Sequence, residues 1–321
     1  MFALIVSHHK QKKIVIRGYA QGTNYTITYY AEDSVISFDE ITTLFKELDS
    51  SLSIYKKYST ISKFNDSERG GKLDKHLFRV VQKALEIYQE SNGNFDITVY
   101  QLVRAWGFAD NPITKLPDST IIKKLLPCIG SDKIYLTKDS LIKRQSCIKI
   151  DVNGIAQGYS VDYIADYLES KCISNYLVEV GGEIRVKGKN ENGEYMNIGI
   201  ESPADFSFEE PVIRQIISLQ HGAVTTSGNY RKYVESNGKR ISHLVNPKTG
   251  FSFTTNMISV TVIAKDAITA DAYDNVLMAM EPNEAIALAE RKENMEAYLI
   301  YKNKQGQLKD DMTNGFRMLI K

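Results

Sequence analysis

The first regular pattern along the chain has a period of two. In IVIRGYAQGTNYTITYY, Tyr25, Ile27 and Tyr29 share one face, so the segment reads as two strands joined between Gly18 and Gly22. The period then lengthens. Ser37 in SFDE offers an N-cap with Glu40 three residues on, and Ile41, Leu44, Phe45, Leu48 and Leu52 recur at helical spacing. A second helix carries Leu77, Val80, Val81, Ala84, Leu85 and Tyr88 and stops near Asn92-Gly93. The strand CIKID launches a third, GIAQGYSVDYIADYLESK, with Ile155, Val161, Ile164, Ala165 and Leu168 inward, and the strand NYLVEVGG follows it.

Short strands with turn signals come next: EIRVKG, MNIGIES, QIISLQ, AVTTSG, RISHLV and ISVTVIA. Two helices are then expected, from about Asp266 to Met280 and from Pro282 to Lys292, before a closing strand pair AYLIYK and FRMLI. Hairpin-spaced strands with intervening helices predict an α+β fold with largely antiparallel sheets, in place of a regular βαβ alternation. No internal repeat or long linker breaks the chain, and the most plausible boundary is a soft one near residues 112 to 145.

Composition narrows the class. A chain of 321 residues suffices for one large domain or two packed lobes, and 25% charged with 43% hydrophobic residues is ordinary for a folded protein. A net charge of +1 without a long basic run argues against nucleic acid as the main partner. Cys128, Cys147 and Cys172 are odd in number and contain no CxxC pair, so they read as small core or surface residues and leave the compartment open. No run of eighteen apolar residues spans a membrane. The start, MFALIVSHHKQKK, looks either like the tail end of an export signal with a basic mature start or like a frayed terminus; a lipobox cysteine is absent.

The common catalytic signatures are missing: there is no GxxxxGK[ST] loop, GxSxG elbow or HExxH, and VGGEIRVKG does not fit a GxGxxG turn. Of five histidines (His8, His9, His76, His221, His243), only the terminal pair clusters. What remains is a set of loops. GNFDITVYQLVRAWGF sets Asp96 between an aromatic and β-branched residues. KIDVNGIAQGY puts Asp151 at a strand end and Asn153-Gly154 at a helix start, where free N–H groups and the dipole favour an anion. TTSGNY and SHLVNPKTG combine hydroxyls, a Gly turn and a potential base; singly, each is also ordinary turn chemistry. In DAYDN, Asp271 and Asn275 lie four residues apart on one helical face, which suits either a metal-binding turn or a solvated helix face.

Taken in order, QGTNYTITY, LSIYKKYSTISKFN, GNFDITVYQLVRAWGF, DVNGIAQGYSVD, VEVGGEIRVKG, TTSGNYRKY, SHLVNPKTG and SVTVIAKDAITADAYDNVLMAM resemble the FAD:protein FMN transferase family, the ApbE-type flavin transferases, from about Gln21 to Met280. The resemblance implies a single flavin transferase domain over residues 21–321, built as two packed lobes around a FAD cleft, with residues 1–20 as an N-terminal segment left from an export signal. It implies Mg2+ as cofactor, FAD as substrate, and transfer of FMN to a Ser or Thr hydroxyl of an electron-transport protein with release of AMP.

Residue by residue, the resemblance assigns the metal to the Asp271 carboxylate, the Asn275 side chain and the Gly154 carbonyl, with Asp274 acting through a water. His243 would take the acceptor's proton. Flavin and adenine contacts would come from Gln21, Tyr55, Asn94, Phe95, Asp96, Asp151, Gln157 and the backbone around Val245, while Ser227 and Gly228 shape the phosphate or acceptor side. Four positions depart from the family's usual residues: Gln21 for Met, Gln157 for Lys or Glu, Asn246 for Asp, and Asn275 for Thr. The same metal and cleft would also serve an FAD pyrophosphatase or a non-catalytic FAD-binding protein. Location on the periplasmic face of a bacterial envelope, with a lipid anchor in a longer precursor, follows from the family.

Overall fold

A computed structural model describes residues 11–108, 116–202, 212–229, 233–236, 239–242, 244–253 and 255–321. His243, the N-terminal stub over residues 1–10 and residues 112–115 of the expected soft boundary lie outside the described residues.

The main sheet, among the described residues, has eight strands: β1 (Lys12–Ala20), β2 (Thr23–Ala31), β3 (Tyr176–Val180), β4 (Glu183–Lys187), β5 (His221–Gly228), β6 (Met257–Ala264), β7 (Glu296–Lys302) and β8 (Leu308–Met312). They cross the sheet in chain order and every neighbouring pair is antiparallel. The α+β expectation therefore holds. The first hairpin turns on Gln21-Gly22 alone, both at positive φ (53° and 80°), the mirror-image turn whose twist suits a two-residue hairpin. Gly18 lies inside β1 opposite Tyr25, so the turn is shorter than the expected stretch from Gly18 to Gly22.

Between β2 and β3 the chain makes a long helical excursion. It contains α1 (Phe38–Leu52), α2 (Thr60–Asp66), α3 (Lys75–Glu90), α4 (Tyr100–Ala105), α5 (Ser119–Leu125) and α6 (Ala156–Ser170), with a small sheet ordered Gly70–Lys72, Ser140–Lys143, Ile134–Leu136. After β6 come α7 (Ala267–Met278) and α8 (Pro282–Arg291), and α9 (Asn314–Leu319) follows β8. Ser37 and Glu40 form the reciprocal capping box at the start of α1, and the stripe Ile41, Leu44, Phe45, Leu48 and Leu52 is buried.

Alternation along β6 and β7 assigns each sheet face to its own core. Val260, Val262, Ala297 and Leu299 join the helices of the excursion and α7, whereas Ile263, Tyr298 and Ile300 pack on the other face with Met196, Ile198 and Ile217 of the hairpin Met196–Glu201/Ile213–Leu219. A third cluster, Leu102, Trp106, Ile122, Ile129 and Val245, lies under α4 and α5.

Three further expectations are corrected. FRMLI is not a strand: Phe316 is fully buried on α9, its ring stacked 5.4 Å from Tyr298, and the partner of β7 is Leu308–Met312. That strand shows little apolar patterning because it lies at the sheet edge, where its charged residues are solvated. Among the described residues CIKID is not part of a sheet and meets the chain near Val99 through a parallel bridge from Lys149 and a hydrogen bond from Asp151 N to Ile97 O. Cys128 and Cys147 are joined in a disulfide across 19 residues, and Cys172 is free and exposed. Among the described residues no helix is long and apolar enough to cross a membrane.

Asp74 ties the helical excursion together. Its carboxylate caps α3 through His76 N (2.9 Å) and Leu77 N (3.0 Å), and accepts from Ser51 Oγ of α1 (2.6 Å) and from Thr60 Oγ1 of α2. Burial pushes its pKa up, but these donors outweigh burial and hold it below the ordinary value of 3.8. A depressed carboxylate contributes stability above its unfolded pKa and loses it as pH falls through the folded one. Asp74→Ala should therefore cost about 1–2 kcal/mol at neutral pH, and chemical denaturation repeated below about pH 4 should show the gap to wild type closing.

Candidate functional site

The junction of α6 and α7 is locked by an exchange of carboxylates. Asp162 on α6 accepts from Ala267 N and Ile268 N, both at 2.9 Å, and so caps α7. Asp271 on α7 accepts from Gly158 N at 2.7 Å and so caps α6, whose own N-cap position, Ile155, has no side-chain acceptor. Each helix thus satisfies orphan amides and the positive dipole end of the other. The close approach requires glycine at 158, where an added Cβ would collide with the Ala267 carbonyl and with Asp271 Cβ. Arg185 of β4 completes the lock at 2.9 Å from Asp162. Asp162 is drawn two ways: burial pushes it up to about 6, while Arg185 and the two amides favour its charged form. Above that pH the ion pair stands.

This lock fixes the floor of a cleft of about 860 Å³. One wall is the end of α1 and the loop after it, with Asp49, Leu52, Ser53, Tyr55 and Lys56. Others are the hairpin turn Gln21-Gly22, the loop carrying Asn94, Phe95 and Asp96, the turn from Asp151 to Gln157, and the segment carrying Leu244, Val245, Pro247 and Phe253. All eight residues expected to contact FAD (Gln21, Tyr55, Asn94, Phe95, Asp96, Asp151, Gln157, Val245) line this one cleft, as do Gly154 and Asn275. Asp271 lies beneath them, buried. Ser227 and Gly228 end β5 and are not among the lining residues.

Several of these side chains hold the cleft's shape. Asp96 accepts from Thr98 N (2.8 Å), Thr98 Oγ1 (2.6 Å), Ser131 N (3.1 Å) and Ser131 Oγ (2.7 Å), which ties two loops together; burial still raises its pKa. Asp151 Oδ1 accepts from Asn153 N at 2.8 Å and sets the turn that presents the Gly154 carbonyl. Asn246 Oδ1 accepts from Lys248 N (2.8 Å) and Thr249 N (3.2 Å), a turn role that an amide oxygen fills as well as a carboxylate, so the departure from Asp at this position leaves the loop intact. Two straps fasten that loop: the single tryptophan donates from Nε1 to Gly250 O at 2.8 Å, and Lys248 Nζ donates to Asn94 Oδ1 at 3.1 Å.

At the cleft floor, Asn275 Nδ2 lies 2.8 Å from Asp271 O, 3.0 Å from Asp274 Oδ1 and 3.3 Å from Gly154 O. Three oxygens thus converge on one electropositive group, a donor set that suits a hard divalent cation. Rotating the amide by half a turn presents Oδ1 instead. Asp274 is buried, and burial followed by repulsion from Asp271 raises its pKa well above the ordinary value. The neighbouring Thr225 hydroxyl pulls the other way, although it makes no hydrogen bond of normal geometry. Among the described residues no group of three or more His, Cys, Asp or Glu side chains forms a metal cluster.

Residue patterning did not reveal Asp49, Lys56, Asp162 or Glu183. Burial pushes the Asp49 carboxyl up and Lys56 pulls it down. The signal for Asp162 was a carboxylate in the middle of the apolar stripe VDYIADYL, which only a buried partner explains.

Comparison with known proteins agrees with this geometry. The model of the ApbE family matches residues 21–299. The chain is 32% identical over 317 residues to the FAD:protein FMN transferase of Haemophilus influenzae, covering 95% of this chain and 91% of that one. It is 33% identical over 316 residues to the enzyme of the same name from Vibrio cholerae, covering 96% and 93%. Among solved structures, the flavin transferase ApbE from Vibrio cholerae superposes with a TM-score of 0.86 at 30% identity, over 96% of this chain and 99% of that one.

Removal of one cap tests the lock. Asp162→Ala leaves the amides of Ala267 and Ile268 without their side-chain acceptor in a buried site and removes one of the three carboxylates around Arg185, and should lower stability by about 1–3 kcal/mol, read as a lower denaturation midpoint. An unchanged midpoint would show that the two helices do not depend on each other.

Proposed function

The chain belongs to the ApbE family, and we propose that it acts as a Mg2+-dependent FAD:protein FMN transferase, moving FMN from FAD to a Ser or Thr hydroxyl of an electron-transport protein with release of AMP. The observation that carries this reading is the cleft floor, where the Gly154 carbonyl, the Asp271 backbone carbonyl and the Asp274 carboxylate meet at the Asn275 amide beneath a cavity of about 860 Å³. That volume falls in the ordinary range of ligand sites, about 300–1,000 Å³.

In this reading Asp271, Asn275 and Gly154 O would hold the cation, which supplies charge neutralisation on the diphosphate. The chain's own residues do the rest. The loops tied by Asp96, Asp151 and Asn246 orient the two halves of FAD. The acceptor oxygen bonds to the FMN phosphorus, the bond from that phosphorus to the bridging oxygen breaks, and AMP leaves with the bridging oxygen. The acceptor's proton goes to His243, the general base of this proposal. The Cys128–Cys147 disulfide supports an oxidising compartment such as the periplasmic face of a bacterial envelope.

AMP release from FAD, followed in the presence of a peptide with a central Thr, tests the reading. It should require Mg2+ and the peptide, fall by roughly a hundredfold or more in Asp271→Ala, and fall in His243→Ala while FAD binding persists. AMP release without the peptide would identify an FAD pyrophosphatase instead, and FAD binding with no AMP under any condition would leave a flavin-binding protein.

A further inference from the structure

Gln157 is the departure from the usual family residues that the structure explains most sharply. Its Nε2 lies 2.5 Å from Glu183 Oε2 and 2.8 Å from Val180 O. A carboxylate and a carbonyl only accept, so both partners demand the NH2 end of the amide, which settles which end is nitrogen. The two acceptors are brought there by the turn Gly181-Gly182 between β3 and β4. Both glycines have positive φ (62° and 107°), and a Cβ at Gly181 would collide with Nε2 itself. The other end of the amide is left over. Among the described residues Oε1 makes no hydrogen bond, and Gln157 lines the cleft whereas Glu183 does not.

We propose that Glu183 is a positioning residue that holds the Gln157 amide one way round, so that Gln157 Oε1 meets the ligand as a hydrogen-bond acceptor and selects a heterocycle edge carrying an N–H donor. The inference rests on the flavin transferase reading. A lysine at position 157 would instead donate, and a glutamate would place a second carboxylate against Glu183. The glutamine of this chain is therefore matched to Glu183, and the pair sets the polarity of one subsite. FAD carries two edges of the required kind: the imide N–H of the flavin ring and the exocyclic amine of adenine.

Titration calorimetry on the wild-type protein, Gln157→Met and Glu183→Gln separates these outcomes, using FAD, FMN, AMP, N3-methyl-FMN and N6,N6-dimethyl-AMP as probes. Gln157→Met should weaken FAD roughly 3- to 10-fold, the value of one hydrogen bond, with the loss confined to either FMN or AMP. Methylating the N–H of that half should penalise wild type by a similar factor, leave Gln157→Met indifferent, and penalise Glu183→Gln by less, because a glutamine at 183 can donate to a turned amide and leaves the Val180 carbonyl alone to hold its orientation. A methylation penalty equal in all three proteins, or equal losses in both halves of FAD, would overturn the inference. Failure of the wild-type protein to bind FAD at all would overturn the transferase reading and this inference with it. If Glu183→Gln proves unfolded by thermal melting, the comparison of wild type with Gln157→Met decides alone.

Discussion

The exchange of caps between α6 and α7 is the constraint on which the site depends. Asp162 and Asp271 each leave their own helix to satisfy the first amides of the other. α6 has no side-chain cap at its N-cap position, Ile155, and the N-cap of α7, Asp266, reaches Thr269 N and leaves the first two amides to Asp162. Two helices far apart in sequence are thereby held in one register. The consequence at the cleft is direct, since the backbone carbonyl of Asp271 and the side chain of Asn275 share the face of α7 that meets the turn before α6. A carboxylate used as a cap on one edge is a fixed carboxylate on the other.

The same economy runs through the cleft walls. Asp96, Asp151 and Asn246 are each engaged by backbone amides of their own or a neighbouring loop, so the lining is preorganised by the residues that define it. Lys248 and Trp106 bind the Asn246 turn to the opposite loop and to the core under α4. The disulfide adds a covalent tie between the segment that carries Ser131, a partner of Asp96, and the segment that leads to Asp151.

Much of the fold was legible in the sequence because local rules and tertiary packing agree there. The capping box of α1, the apolar stripe of α3 and the stop at Asn92-Gly93, both at positive φ, follow from side-chain chemistry within a few residues. Leu308–Met312 was not legible because an edge strand keeps its charged residues in water and loses the alternation that marks a buried one. The cysteine pairing escaped for a different reason, since spacing along the chain carries no connectivity. In the site, motif order located the cleft residues, but the roles of Glu183 and Asp162 exist only in three dimensions, where strand β4 passes the start of α6.

The convergence of oxygens at the cleft floor carries the functional reading, and diffraction from crystals grown with FAD and Mn2+, recorded at the manganese edge, tests it most directly. The predicted result is an anomalous peak bounded by Gly154 O, Asp271 and Asn275, with the Asn275 amide turned to present Oδ1. FAD seated in the cleft with no peak at that position, or with the Asn275 amide nitrogen still bonded to Asp271 O and Asp274, would contradict it.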